Sequence, residues 1–261
     1  MNGDLDSRAA LALLEWQVDL GVTEAICETP VNRYELPDAA PTAKPKTAAA
    51  PEPAPMVSVG ADPVDLARAM AAEAATLEDL RAALGAYEHC ELRRGARNLV
   101  FSDGDPRARV MVIGEAPGRD EDLQGKPFVG KAGQLLDRML AAIAMGRAEP
   151  DAEKAVYITN ILPWRPPQNR DPTPDEIAMM LPFVQRHVEL AAPDALVLMG
   201  NISCLALLGR KGITRLRGNW VEVLGRPALP MFHPAYLLRN PAAKREAWHD
   251  LLMLQARLRE M

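Results

Sequence analysis

Short, uniformly apolar runs alternate with amphipathic stretches along most of the chain. ARVMVIG (108–114), VYITNI (156–161) and ALVLMG (195–200) are too short and too evenly apolar for surface helices and predict buried strands. WVEVL (220–224) and ALPMFH (228–233) predict two more. Between them the apolar positions fall at helical spacing. The helices expected are about 62–86, GKAGQLLDRMLAAIAM (130–145), PDEIAMMLPFVQRHVEL (174–190, despite Pro182), one after Gly200 and a last from about Pro241. Strands and helices in this order predict an α/β fold: a parallel sheet covered on both faces, with its ligand beyond the carboxyl ends of the strands.

Upstream the pattern changes. Ser7 is placed to cap an amphipathic helix carrying Leu11, Leu14, Val18 and Ile26. Residues 37–60 hold six prolines between Pro37 and Pro55 and few large apolar groups, the composition of a semi-extended linker. The expected organisation is an N-terminal helical segment (1–36), a Pro/Ala-rich linker (37–60) and a main domain (61–261).

Composition bounds the function. With 261 residues, 48% of them hydrophobic, the chain can bury a sizeable core. It has no run near ~18 apolar residues, so no membrane span is expected. MNGDLDSRAALALLEW is acidic ahead of its apolar run, which argues against a signal peptide. Three scattered cysteines (Cys27, Cys90, Cys204) indicate neither a disulfide framework nor a zinc site, and a cytoplasmic location is expected. The net charge of −5 argues against nucleic acid, but residues 1–85 carry −8 and residues 86–261 carry +3. Between 207 and 245 stand eight basic residues against Glu222 alone. A local basic face can hold phosphates, since screening confines the relevant field to about 8–10 Å; a merely solvated surface gives the same count.

Four segments at predicted strand ends carry candidate chemistry. GEAPGRDEDLQGKPFVG (114–130) is glycine-rich, but Glu115, Asp120, Glu121 and Asp122 make it wrong for a phosphate cradle and suited to general-base work. In TNILPWRPPQNR (159–170), Asn160, Asn169 and Arg170 close a strand and a proline-stiffened loop; a carboxamide can read a pyrimidine edge, or serve as turn chemistry. In MFHPAYLLRNP (231–241), His233 can donate to a developing anion. Tyr236, Leu237 and Leu238, next to Arg239, have the composition of a wedge for a base stack, or of the start of the last helix. LGRKGITRLRGNW (208–220), with Lys211, Arg215 and Arg217, suits phosphate contacts or solvent.

Taken together, GEAPGRDEDLQGKPFVGKAG, TNILPWRPPQNRDPTPDE and FHPAYLLR closely resemble, in order and spacing, the family 4 branch of the uracil-DNA glycosylases over about residues 86–255. The resemblance implies a three-layer α/β/α sandwich around a four-stranded parallel sheet. It also implies hydrolysis of the N-glycosidic bond of uracil in DNA, with base flipping, an abasic site and free uracil as products, and a monomer at the nucleoid. By position it implies Glu115 and Glu121 as the catalytic carboxylates, Phe128 as the stacking ring, Asn160 as reader of the N3 and O4 edge, Asn169 as support and His233 as donor to O2. Ala116 is the candidate for crowding thymine's methyl. Arg170, Lys211, Arg215, Arg217, Tyr236, Leu237, Leu238 and Arg239 are the expected DNA contacts.

The sequence also departs from that family. Its members hold a four-iron cluster through four cysteines. Here only Cys90 stands in place; Arg93, Trp164 and Met180 occupy the other three positions. No iron–sulfur cluster or other metal is expected, with Trp164 and Met180 filling the volume as core. A related branch traps its product covalently through a loop histidine, and residues 203–231 contain no histidine, so a monofunctional hydrolytic enzyme is expected. The alternatives are a glycosylase for other deaminated bases, a non-catalytic uracil- or abasic-DNA binding module, and an unrelated nucleotide-binding α/β enzyme.

Overall fold

Residues 62–261 are described by the computed structural model. The expected N-terminal helix and linker lie outside the described residues. The apolar runs form strands β2 (Val110–Gly114), β3 (Val156–Asn160), β4 (Ala195–Met199) and β6 (Arg226–Met231), preceded by β1 (Asp103–Gly104) and with β5 (Val221–Val223) before β6. They make one sheet in the order β1-β3-β2-β4-β6-β5. The inner four strands are parallel, as expected. The sheet is wider than four strands, because β1 and β5 pair antiparallel on its two edges. From β2 the chain moves first to β3 on one side and then to β4 on the other. The carboxyl end of β2 is therefore the switch point at which α/β sheets open a crevice.

Alternation along each strand builds two cores. Met111, Ile113, Tyr157, Leu196 and Leu198 face one side. They pack on α1 (Pro63–Glu73), α2 (Leu77–Ala86), α6 (Pro174–Ala191) and α7 (Gly200–Leu208). Val110, Val112, Val156, Ile158, Val197 and Met199 face the other side, with Leu136 and Leu140 of α5 (Lys131–Ala141) and Leu251 and Leu254 of α10 (Lys244–Glu260). The result is the three-layer α/β/α sandwich.

The helix expected over 62–86 is two helices. Ala74 leaves α1 in an extended conformation, and Thr76 starts α2 by accepting the Asp79 N–H at 3.1 Å while Asp79 takes the Thr76 N–H at 3.0 Å. Four short helices escaped the periodicity because each holds less than two turns: α3 (Leu92–Gly95), α4 (Arg119–Gln124), α8 (Ile213–Leu216) and α9 (Pro234–Arg239). Pro182 sits inside α6 without ending it. Among the described residues no helix is long and apolar enough to cross a membrane.

Candidate active site

Beyond the carboxyl ends of the parallel strands lies a cavity of about 300 Å³, lined by Glu115, Ala116, Glu121, Phe128, Asn160, Asn169 and His233 with Pro117, Arg170 and Arg239. A second chamber of about 440 Å³ adjoins it, sharing Glu115, Asn169, His233 and Arg239. Residues from three separate sequence segments thus meet at one place.

Asn160 ends β3 in register with Gly114 of β2 and is only 6% exposed. A Cβ on Gly114 would overlap Asn160 Oδ1 and the Phe128 ring, so only glycine lets carboxamide and ring meet over the strand end. Phe128 is buried and holds a left-handed φ of 53°, a conformation a bulky residue keeps only when its surroundings enforce it. Arg147 supplies that enforcement. Its Nη2 donates to the Phe128 carbonyl at 2.8 Å and its Nη1 to the Pro127 carbonyl at 2.9 Å. The guanidinium is itself clamped between Asp103 (3.0 Å) and Asp137 (2.8 Å). The sequence reading missed Arg147, because nothing local ties it to a ring 19 residues away.

His233 caps α9 through its ring: Nδ1 accepts the Ala235 N–H at 3.1 Å. Burial, helped by the Arg239 charge, pushes its pKa down to about 4. The imidazole is thus neutral at pH 7, and with Nδ1 accepting, its one proton resides on Nε2 as a donor. The ring lies 5.4 Å from that of Phe128, tilted by 27°.

The two carboxylates of the first loop differ in their surroundings. Glu121 is saturated, with Oε1 accepting from Val129 N (3.0 Å) and Gly130 N (2.8 Å) and Oε2 from Gly118 N (3.1 Å). It closes the loop that shapes the cavity and satisfies the start of α5. The Glu115 carboxylate takes no hydrogen bond from a described residue; burial first, then the Asp171 charge, push its pKa up to about 7 against the opposing pull of Lys211. A carboxylate with a raised pKa and a neutral histidine donor thus line one cavity.

The expected DNA-facing residues divide. Lys211, Arg215, Leu238 and Arg239 are exposed at this end of the sheet. Arg170 lines the cavity, but its guanidinium makes a two-bond pair with Glu176 (2.9 and 2.6 Å). Arg217 is turned inward: it pairs with the fully buried Asp250, donates to the Glu246 carbonyl at 2.9 Å and lies over the Phe232 ring. Leu237 is 1% exposed and belongs to the core, and Tyr236 stacks on Phe232 at 4.9 Å. Of the three-residue tip, α9 turns Leu237 into the core and leaves Leu238 exposed, while the half-buried Tyr236 lines the second chamber.

The four positions where the resembled family places cysteines do not form a thiolate set. Cys90, Trp164 and Met180 are buried in one core cluster. Arg93 pairs with Glu88 at 3.3 Å. Burial pushes the Cys90 thiol up, toward its neutral, non-ligating form. Among the described residues no group of three or more His, Cys, Asp or Glu could hold a metal ion.

Comparison with known proteins gives a consistent result. Residues 101–252 match the model of the uracil DNA glycosylase superfamily. A type-4 uracil-DNA glycosylase of Archaeoglobus fulgidus is 37% identical over 67% of this chain and 89% of its own length. One from Thermotoga maritima is 40% identical over 58% of this chain and 77% of its own, and one from Saccharolobus solfataricus is 37% identical over 62% and 77%.

Proposed function

The chain belongs to the uracil-DNA glycosylase superfamily, and from that premise we propose that it hydrolyses the N-glycosidic bond of uracil in DNA, leaving an abasic site and free uracil. The observation that carries the reading is the pairing of an unsaturated, half-buried Glu115 with a neutral His233 in one cavity. A binding module needs only the ring and the amide, so that pairing favours catalysis.

The steps follow from the residues. The uracil leaves the stack, at roughly a few kcal/mol, and enters the cavity against Phe128. Asn160 accepts from N3–H and donates to O4; cytosine presents the reverse pattern and leaves both groups unpaired. Ala116 faces C5, where a thymine methyl would crowd. As the bond to C1′ breaks, the electron pair departs with the base toward O2, where His233 Nε2–H stabilises the anion. Glu115, as carboxylate, balances the positive charge on the sugar and takes the proton of the water that adds to C1′. Glu121 and Asn169 hold the walls. Lys211, Arg215 and Arg239 contact phosphates and Leu238 fills the vacated stack.

The enzyme is proposed to work as a cytoplasmic monomer, its catalytic domain the described residues, and without an iron–sulfur cluster. The mismatched ligand positions support the last point, and iron analysis of freshly purified protein is expected to find far fewer than four irons per chain. The function is tested on a uracil-containing oligonucleotide with a matched thymine control. Alkali-dependent cleavage at uracil alone is expected, and Glu115→Gln and His233→Ala should each slow it by about 10²–10³. No cleavage at uracil, or equal cleavage at thymine, would overturn the reading.

A further inference from the structure

The chamber of about 440 Å³ beside the uracil cavity brings Glu115 together with two charges that the mechanism above leaves without a catalytic role, Asp171 and Lys211. They arrive from different loops, and both loops are held. Asn201 Oδ1 accepts from Gly212 N at 3.0 Å and Ile213 N at 2.9 Å, fixing the turn that carries Lys211. Arg170 donates to the Asp171 carbonyl at 3.0 Å while tied to Glu176, fixing the turn that carries Asp171. Neither Asp171 nor Lys211 is an ion-pair member among the described residues.

We propose that Asp171 and Lys211 are positioning residues for Glu115, two opposite charges on separately anchored loops that tune how readily its carboxylate ionises when the base is cleaved. The inference rests on the reading of Glu115 as the catalytic carboxylate. Glu115 must be an anion to balance the sugar cation and accept a proton. A carboxylate across the chamber opposes that state and an ammonium favours it. The two neighbours act on Glu115 in these opposite directions, added to the larger effect of burial.

The other charged and titratable groups around the two chambers are committed elsewhere. Glu121 is occupied by three backbone amides and Arg170 by Glu176. His233 is neutral, and the Arg239 charge acts on that ring. Asp171 and Lys211 remain as the pair facing Glu115, Lys211 from an exposed position that also leaves it open to a phosphate.

The test is single-turnover excision from a uracil oligonucleotide by the full chain in excess, followed on both sides of pH 7. The parent's rate is expected to rise with pH as Glu115 ionises. Asp171→Asn removes the opposing charge, so its rising limb should move to lower pH by roughly half a unit or more. Lys211→Met should move the limb upward by a similar amount, and the double variant should return toward the parent. Asp171→Glu, which keeps the charge, should restore the parent's limb. A loop merely distorted by substitution would scale the whole profile without moving the limb. A limb unmoved in both single variants, or moved the same way in both, overturns the inference. If Glu115→Gln keeps the parent's rate and limb, the catalytic reading of Glu115 falls instead, and the inference with it.

Discussion

Glu115 is where chemistry and stability conflict most directly. Its folded-state pKa of about 7 lies above the ordinary 4.5, so the folded protein holds the proton more tightly than the unfolded chain does. The linkage sign follows: the group costs nothing below its ordinary value, and the cost of ionising it in the fold grows as pH rises from there to about 7. Above that, the penalty is on the order of 2 kcal/mol once partial solvent access is allowed for. Glu115→Gln is therefore expected to be about 10²–10³ slower yet more stable than the parent at alkaline pH, with the two converging near pH 4.5. Thermal melts at both pH values check this, and a variant less stable than the parent at alkaline pH would show that Glu115 is held by favourable contacts. The same loop shows what the sequence conceals. Glu115 and Glu121 both read as acidic groups in a glycine-rich turn; only the backbone path reveals that three amides converge on one of them and none on the other.

At the scale of elements, what was legible is what local patterns encode. The parallel strands could be read because a strand buried on both faces must be apolar throughout, and the layers followed from the helical periods between them. The meeting of the candidate segments at one cavity could be read because they sit at strand ends. Not legible were the features set by distant partners. Leu237 and Leu238 are adjacent identical residues, and the rotation of α9 sends one into the core and the other to solvent. Arg147 carries no local signal, yet it bolts the Phe128 turn to β1 and α5 through Asp103 and Asp137. That bolt predicts the behaviour of a variant. Arg147→Met leaves two carbonyls and Asp137 without their donor, leaves Asp103 with Lys126 alone, and frees a strained φ that costs of order 1–3 kcal/mol to hold. The expected result is lower stability together with a KM raised more than kcat falls, since the stacking ring loses its place while Glu115 and His233 keep theirs. A kcat loss with unchanged KM would mean that the ring acts in the bond-breaking step itself.

For the whole molecule, an acidic chain must still hold a polyanion. The net charge of −5 is resolved by position: much of the acidic excess lies in residues 1–85, and Lys211, Arg215 and Arg239 stand exposed where the strands end. A protein that meets DNA through a few such contacts has a shallow salt dependence, each phosphate contact contributing about 0.9 to the slope of log affinity against log salt. Arg217 belongs to the same basic run by sequence but to the interior by structure, where it neutralises Asp250. The two roles separate in measurement. With Glu115→Gln as background to prevent turnover, binding of a uracil duplex is titrated over a range of salt for Lys211→Ala, Arg215→Ala, Arg239→Ala and Arg217→Met. The first three should each lower the slope by about one and leave the melting temperature alone. Arg217→Met should leave the slope intact but cost about 3–5 kcal/mol of stability by stranding a buried carboxylate. A lowered slope with an unchanged melt for Arg217→Met would return that residue to the DNA face and require the Asp250 pair to open when the duplex binds.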